Sequence, residues 1–264
     1  METPERPRRH PGIASGMTAS QLPLDLRLRD SSRFETYHPG AQEWLVAMLR
    51  RMVLGSGPGG ERQVFLHGPD SCGKSHLLQA ACHEASARGR PCAYLPLQEL
   101  RDRDPSAVLH GLDRLELLAL DDLQAVCGDP DWARALFGLI NRLRERDGQL
   151  LIAARTAPEG LDCGLPDLVS RLTWGPVFRL DQPGDLELKA ILQKRAGVRG
   201  LQLGDAVAEY LIRHECRDLE FLLSLLDRLD LAALAEQRRL TIPFIRSQLC
   251  PPANGKRTAT DGHG

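Results

Sequence analysis

QVFLHGPDSCGKSHLLQAAC, residues 63–82, decides the fold. QVFLH (63–67) is a short apolar run that reads as a buried strand. It runs directly into G-P-D-S-C-G-K-S (68–75), which fits the phosphate-loop pattern G-x-x-x-x-G-K-[ST] without a mismatch. From Lys74 to Arg88, the residues Leu77, Leu78, Ala81 and Ala85 fall on one helical face, and Gly89 supplies a stop. A strand, a glycine-bearing turn and a helix in that order make a nucleotide site. Glycines let the backbone wrap so that N–H groups point at phosphate oxygens, Lys74 reaches the β- and γ-phosphates, and Ser75 ligates Mg²⁺. Gly68, Pro69, Asp70, Ser71, Cys72, Gly73, Lys74, Ser75 and His76 are therefore the candidate nucleotide-binding residues. Cys72 reads as a small residue tolerated between Ser71 and Gly73, and His76 as a helix-start residue near the nucleotide.

Working outward, PCAYLPL (91–97), LELLALDD (115–122), LLIAA (150–154) and VFRL (177–180) are four more strands. Trp132 to Asp147 is amphipathic, with Leu136, Leu139, Ile140 and Leu143 aligned. Strands alternating with helices predict a parallel five-stranded sheet covered on both faces. LLALDD (117–122) ends its strand on two carboxylates beside the phosphate loop. Asp121 there suits Mg²⁺ through water, and Asp122 suits polarising an attacking water. After Pro183 the alternation stops. Residues 184–197, 205–215 and 217–237 all show helical spacing, and a short segment (242–249) closes the fold. The expected organisation is a flexible leader (1–30), an α/β nucleotide-binding domain (31–182), a smaller all-helical lid domain (183–250) and a disordered tail (251–264), with GSGPGG (55–60) as a flexible loop.

Composition narrows the function. Hydrophobic residues make up 42% of the 264 and charged residues 26%, enough for a packed core. Thirty-four Lys+Arg against 35 Asp+Glu leave a formal charge of -1, which argues against gripping duplex DNA by charge alone. There is neither an apolar run of membrane-spanning length nor a secretory signal at the N-terminus, so the expectation is a cytoplasmic protein. The seven cysteines sit far apart with no C-x-x-C pair, which suits reduced thiols and fits neither a zinc knuckle nor a disulfide framework.

The order of phosphate loop, Asp pair, strand-end sensor, arginine box and helical lobe resembles the AAA+ ATPases. GKSHLLQAAC (73–82), LPDLVSRLTWG (165–175), RDLEFLLSLLDRLD (217–230) and RRLTIPFIRSQL (238–249) resemble the DnaA-related family in particular, above all its shorter regulatory inactivators of DnaA. The likeness runs from about residue 21 to residue 249. It implies a P-loop AAA+ sheet with a C-terminal helical lid, ADP or ATP with Mg²⁺ as ligand, and Arg171 as an arginine finger aimed at ATP in a neighbouring subunit. It also implies that Arg217 touches the phosphates of the nucleotide in cis. The family places a polar or acidic residue at the end of the fourth strand, where LIAARTAP (151–158) has Ala154 and Arg155, so slow hydrolysis in the chain's own site is expected.

QLPLDL (21–26) resembles the short peptide by which replication proteins dock on the DNA polymerase sliding clamp (its β subunit). Leu22, Leu24 and Leu26 are spaced for an apolar pocket, and Gln21 offers an orienting amide. Met17, four residues earlier, is an alternative start. The DNA-reading domain of DnaA has no counterpart in the sequence, so no direct sequence-specific DNA binding is expected. The combined expectation is a nucleoid-associated negative regulator of replication initiation. It docks on the clamp and stimulates hydrolysis of DnaA-bound ATP, with homo-oligomerisation open. The alternatives are a loader-type AAA+ ATPase that remodels another replication protein by its own hydrolysis, and a small-molecule P-loop kinase.

Overall fold

The computed structural model describes residues 28–29, 31–55, 60–214, 217–236 and 239–249. QLPLDL, Met17, residues 56–59 of the glycine-rich loop and the tail lie outside the described residues.

Five parallel strands form one sheet: β1 (Gln63–His67), β2 (Cys92–Pro96), β3 (Leu117–Asp121), β4 (Gln149–Ala154) and β5 (Val177–Arg179), in the order β2-β3-β4-β1-β5. The described residues also form ten α-helices: α1 (Glu43–Val53), α2 (Lys74–Ala87), α3 (Leu97–Leu100), α4 (Pro105–Val108), α5 (Pro130–Glu145), α6 (Pro166–Leu172), α7 (Asp185–Val198), α8 (Asp205–His214), α9 (Leu219–Glu236) and α10 (Ile242–Leu249). The strands read as unbroken apolar runs because both faces are covered. Val64, Leu66, Leu117, Ala119, Leu151 and Ala153 point into one core with α1 and α2. Phe65, Leu118, Leu120, Leu150 and Ile152 point into the other with α5 and α6. The period-2 alternation of a strand thus divides one apolar run between two layers.

One helix start is written in the sequence. Asp129 caps α5 by accepting from the backbone N–H groups of Asp131 (2.8 Å) and Trp132 (3.2 Å), with Pro130 in the first turn. α1 is absent from the sequence-based expectation, although Leu45, Leu49, Met52 and Val53 carry the spacing of a buried helical face.

The helical lobe, α7 to α10, has a separate core around Leu192, Leu211, Leu222, Leu226 and Ile245. The chain is therefore an α/β domain followed by a smaller all-helical lobe. β4 pairs with both β1 and β3 and so stands between the strand that ends on Asp121 and the strand that leads into the phosphate loop.

Candidate functional site

The C-terminal ends of β1, β3 and β4 gather the nucleotide-type residues at one edge of the sheet. The phosphate loop is wrapped tightly enough that glycine is obligatory at two positions. A Cβ on Gly68 would lie 2.1 Å from the Leu180 carbonyl oxygen. Gly73 sits at φ +98°, and a Cβ there would meet the Tyr37 ring at 2.9 Å. Lys74 follows at the first position of α2 with its side chain buried. Its Nζ donates to the carbonyls of Gly68 (2.8 Å) and Pro69 (2.6 Å), which centres the cation inside the loop. Cys72 Sγ lies 3.6 Å from that Nζ, and burial pushes the thiol pKa up, so Cys72 fills space as a neutral side chain.

Asp121 at the end of β3 is almost wholly buried. Tyr94 Oη donates to its Oδ2 at 2.6 Å, the Asp122 backbone N–H donates to Oδ1 at 3.0 Å, and Ser75 is a further hydrogen-bond partner. Burial raises its pKa, and the Ser75 and Tyr94 hydrogen bonds pull it back. A serine hydroxyl beside a buried carboxylate is the hard-oxygen pair a Mg²⁺ ion takes when phosphates complete its shell, so the residues present fit that ion. Tyr94 was not foreseen, since a tyrosine inside a strand reads as core. Asp122 is held in the left-handed region at φ +54°, where its Oδ1 accepts from Gln124 Nε2 at 3.0 Å.

Arg155, the residue after β4, points across the phosphate loop. β1 and β4 end level, His67 opposite Ala154, and this places the next residue beside the loop. Arg155 Nε pairs with Asp70 Oδ1 at 2.9 Å, and its backbone N–H donates to Gln124 Oε1 at 3.1 Å. Gln182, at the boundary with the lid, donates to the Asp70 carbonyl at 3.2 Å. Asp122, Gln124, Arg155, Asp70 and Gln182 thus form one polar chain that links the Asp pair to the lid.

Beside the loop is a cavity of about 180 Å³ between three parts of the chain. Tyr37 and Pro39 come from the N-terminal segment, Gly73 and His76 from the start of α2, and Ile191, Leu219 and Leu223 from the lid. A half-open apolar slot next to a phosphate cradle suits a nucleobase. His76 fixes its wall. The ring Nε2–H donates to the Arg33 carbonyl at 2.9 Å, and burial pushes the pKa down to about 4, so the imidazole is neutral. The lid also reaches the loop, with Asp218 accepting a hydrogen bond from the Ser71 hydroxyl. Its neighbour Arg217 lines a second cavity with Ser71 and pairs with Asp185 at 3.2 Å.

Arg171 lies at the opposite edge. Gln63, the first residue of β1, donates its side-chain amide to the Arg171 carbonyl at 2.8 Å. The phosphate loop begins where β1 ends, so the length of that strand, about 16 Å at ~3.3 Å per residue, separates Arg171 from the loop. The Arg171 guanidinium carbon is 4.1 Å from the Trp174 ring centroid and 5.3 Å from that of Phe137, and its Nε donates to Asn141 Oδ1 at 2.8 Å. Arg144 stacks on the same Trp174 ring at 3.7 Å. The structure thus brings Gly68 to His76, Asp121, Asp122 and Arg217 together at one edge and leaves Arg171 apart from them.

Residues 28–179 match the family model of the bacterial DnaA ATPase domain, and residues 185–249 match that of the Hda lid domain. Among solved structures, the chain resembles domain III of the Thermotoga maritima replication initiation protein DnaA. The TM-score is 0.69 and the identity 22%, over 83% of this chain and 95% of that one. AMPPCP-bound DnaA from Aquifex aeolicus is similar at TM-score 0.65 and 22% identity, over 77% of this chain and 66% of that one. The Thermotoga maritima RuvB Holliday junction branch migration motor follows at TM-score 0.59 and 20% identity, over 82% and 72%. At these identities the likeness to solved structures is one of fold. No helix among the described residues is long and apolar enough to cross a membrane.

Proposed function

We propose, for a chain that belongs to the bacterial DnaA ATPase-domain family, that it is an adenine-nucleotide-bound regulator of replication initiation that activates ATP hydrolysis on a DnaA-type partner. In cis, the phosphate loop and the slot beside it bind the nucleotide. Lys74 meets the β-phosphate, and Ser75 with Asp121 holds Mg²⁺, which neutralises phosphate charge when bound. Asp122 is the residue placed to polarise water, yet Arg155 occupies the position of the usual sensor and is engaged with Asp70. Binding without fast turnover is the behaviour this arrangement favours. Arg217 and Asp218 couple the occupied loop to the lid.

In trans, Arg171 is the arginine finger. The observation that carries this reading is its place at the sheet edge remote from its own phosphate loop, with the guanidinium held on Trp174 and tied to Asn141. From that edge it can serve only a nucleotide held by another molecule. A guanidinium brought to a transferring phosphoryl group neutralises charge in the transition state, an effect of ~10³–10⁵ in rate. QLPLDL (21–26) is the clamp-docking peptide, which raises the local concentration of the finger near DnaA on replicating DNA.

The test is hydrolysis of DnaA-bound ATP with DNA-loaded clamp, adding and omitting this protein. The expected result is stimulation that Arg171→Ala abolishes at every concentration, because the missing interaction belongs to the transition state and not to encounter. Gln21→Ala with Leu22→Ala should instead lose stimulation in a way that added protein partly restores. Undiminished stimulation by Arg171→Ala would refute the finger. Rapid hydrolysis by the isolated chain, with no effect on DnaA, would favour the loader-type alternative.

A further inference from the structure

Seven cysteines spread along the sequence give no hint of pairing, yet the fold brings two of them into contact on the sheet face that α2 covers. Cys82 lies on α2, fully buried. Cys92 opens β2, an edge strand of the sheet, and is partly open to solvent. Cys92 Sγ lies 3.4 Å from the carbonyl oxygen of Cys82, and Cys82 Sγ lies 3.6 Å from the carbonyl oxygen of Ala93. Each sulfur therefore sits against the main chain that carries the other, and the two thiols are hydrogen-bonded to each other.

The two thiols are unequal. The Cys82 hydrogen bond lowers the Cys92 thiol to about 7, helped by the Arg90 guanidinium and the Ser86 backbone and opposed by burial. The same contact, together with burial, raises Cys82. A half-exposed, thiolate-forming cysteine backed by a buried neutral one has the layout of an attacking and a resolving sulfur.

We propose that Cys82 and Cys92 are a redox-active dithiol that hydrogen peroxide closes to a disulfide. The Cys92 thiolate attacks one peroxide oxygen, the O–O bond breaks, and the departing hydroxide leaves as water after taking a proton. This gives a sulfenic acid on Cys92. The Cys82 sulfur then attacks the Cys92 sulfur, the S–O bond breaks, and the leaving hydroxide takes the Cys82 proton to form a second water. Two thiols and one peroxide become one disulfide and two waters, and both electrons come from the sulfur pair.

The bond would tie α2, whose first residue is Lys74, to β2, whose Tyr94 donates to Asp121. Eight residues separate Cys82 from Lys74, about 12 Å along a helix at ~1.5 Å per residue. Closure should therefore stiffen the domain without reaching the phosphate loop.

The experiment treats the full chain with stoichiometric hydrogen peroxide, blocks free thiols with iodoacetamide under denaturing conditions, and maps the digest by mass spectrometry. A Cys82–Cys92 linked peptide, a raised melting temperature reversed by dithiothreitol and unchanged ADP affinity are expected. Cys82→Ala should leave Cys92 as a sulfenic acid trapped by dimedone, whereas Cys92→Ala should leave Cys82 unreactive. The mild Cys92→Ser variant repeats the second arm should alanine unfold the chain. Both cysteines alkylated after peroxide, or a linkage formed preferentially between Cys127 and Cys163, would overturn the proposal.

Discussion

Replacing Trp174 by leucine should slow the stimulated hydrolysis of DnaA-bound ATP about two- to fivefold while leaving the half-saturating concentration of the protein nearly unchanged. The magnitude comes from the stack. The Arg171 guanidinium carbon is 4.1 Å from the indole centroid, and the ring is 39% exposed. A cation–π contact at such an exposure contributes about 0.5–1 kcal/mol, which converts to that range of rate by the transition-state relation. Asn141, 2.8 Å from Arg171 Nε, remains in place and keeps part of the orientation. The loss should therefore be far smaller than for Arg171→Ala, which removes the charge itself. Trp174→Phe retains a ring face and should recover most of the rate. Arg171→Lys should fail almost as badly as alanine, because an ammonium lacks the planar fork that meets phosphate oxygens. The assay is single-turnover hydrolysis at saturating protein, with melting curves confirming that each variant is folded. A folded Trp174→Leu protein with an undiminished rate would refute positioning by the stack. One as dead as Arg171→Ala would show that Trp174 does more than orient the finger.

Lys74→Ala should weaken ADP binding at least about tenfold, the loss expected for a charged hydrogen bond, and tight calorimetric binding by that variant would contradict the phosphate-site assignment. The isolated protein should hydrolyse ATP well below the ~10 s⁻¹ typical of enzymes, because Arg155 stands at the sensor position paired to Asp70; many turnovers per second without a partner would contradict this. His76 folds in its neutral form, with a pKa pushed from 6.5 down to about 4. Its stabilisation is complete above pH 6.5 and is lost as the pH falls towards 4, about 1–2 kcal/mol between pH 7.5 and pH 5. In denaturant titrations the wild type should lose that much more stability than His76→Gln between the two pH values, and equal losses would remove His76 as the cause.

The phosphate loop, the alternating strands and helices and the change to helices after residue 183 were all legible in the sequence. Each is local: a strand or helix signals itself through a period of 2 or 3.6 residues, and a glycine pattern signals its own turn. α1 was equally legible in Leu45, Leu49, Met52 and Val53 but carried no motif to draw attention to it. Other features depended on contacts between distant segments, and only the tertiary structure decided them. Strand order placed β4 between β1 and β3 and set Arg155 against Asp70, 85 residues away. Packing of the N-terminal segment and the lid about the start of α2 made the slot of Tyr37, His76 and Leu219. Pairing of β2 with β3 set Tyr94 on Asp121, and packing of α2 on β2 set Cys92 against Cys82. Even Arg171, marked by its motif, took its meaning from the sheet, because a parallel strand carries its two ends to opposite edges and nothing in the linear order says which edge a side chain will share.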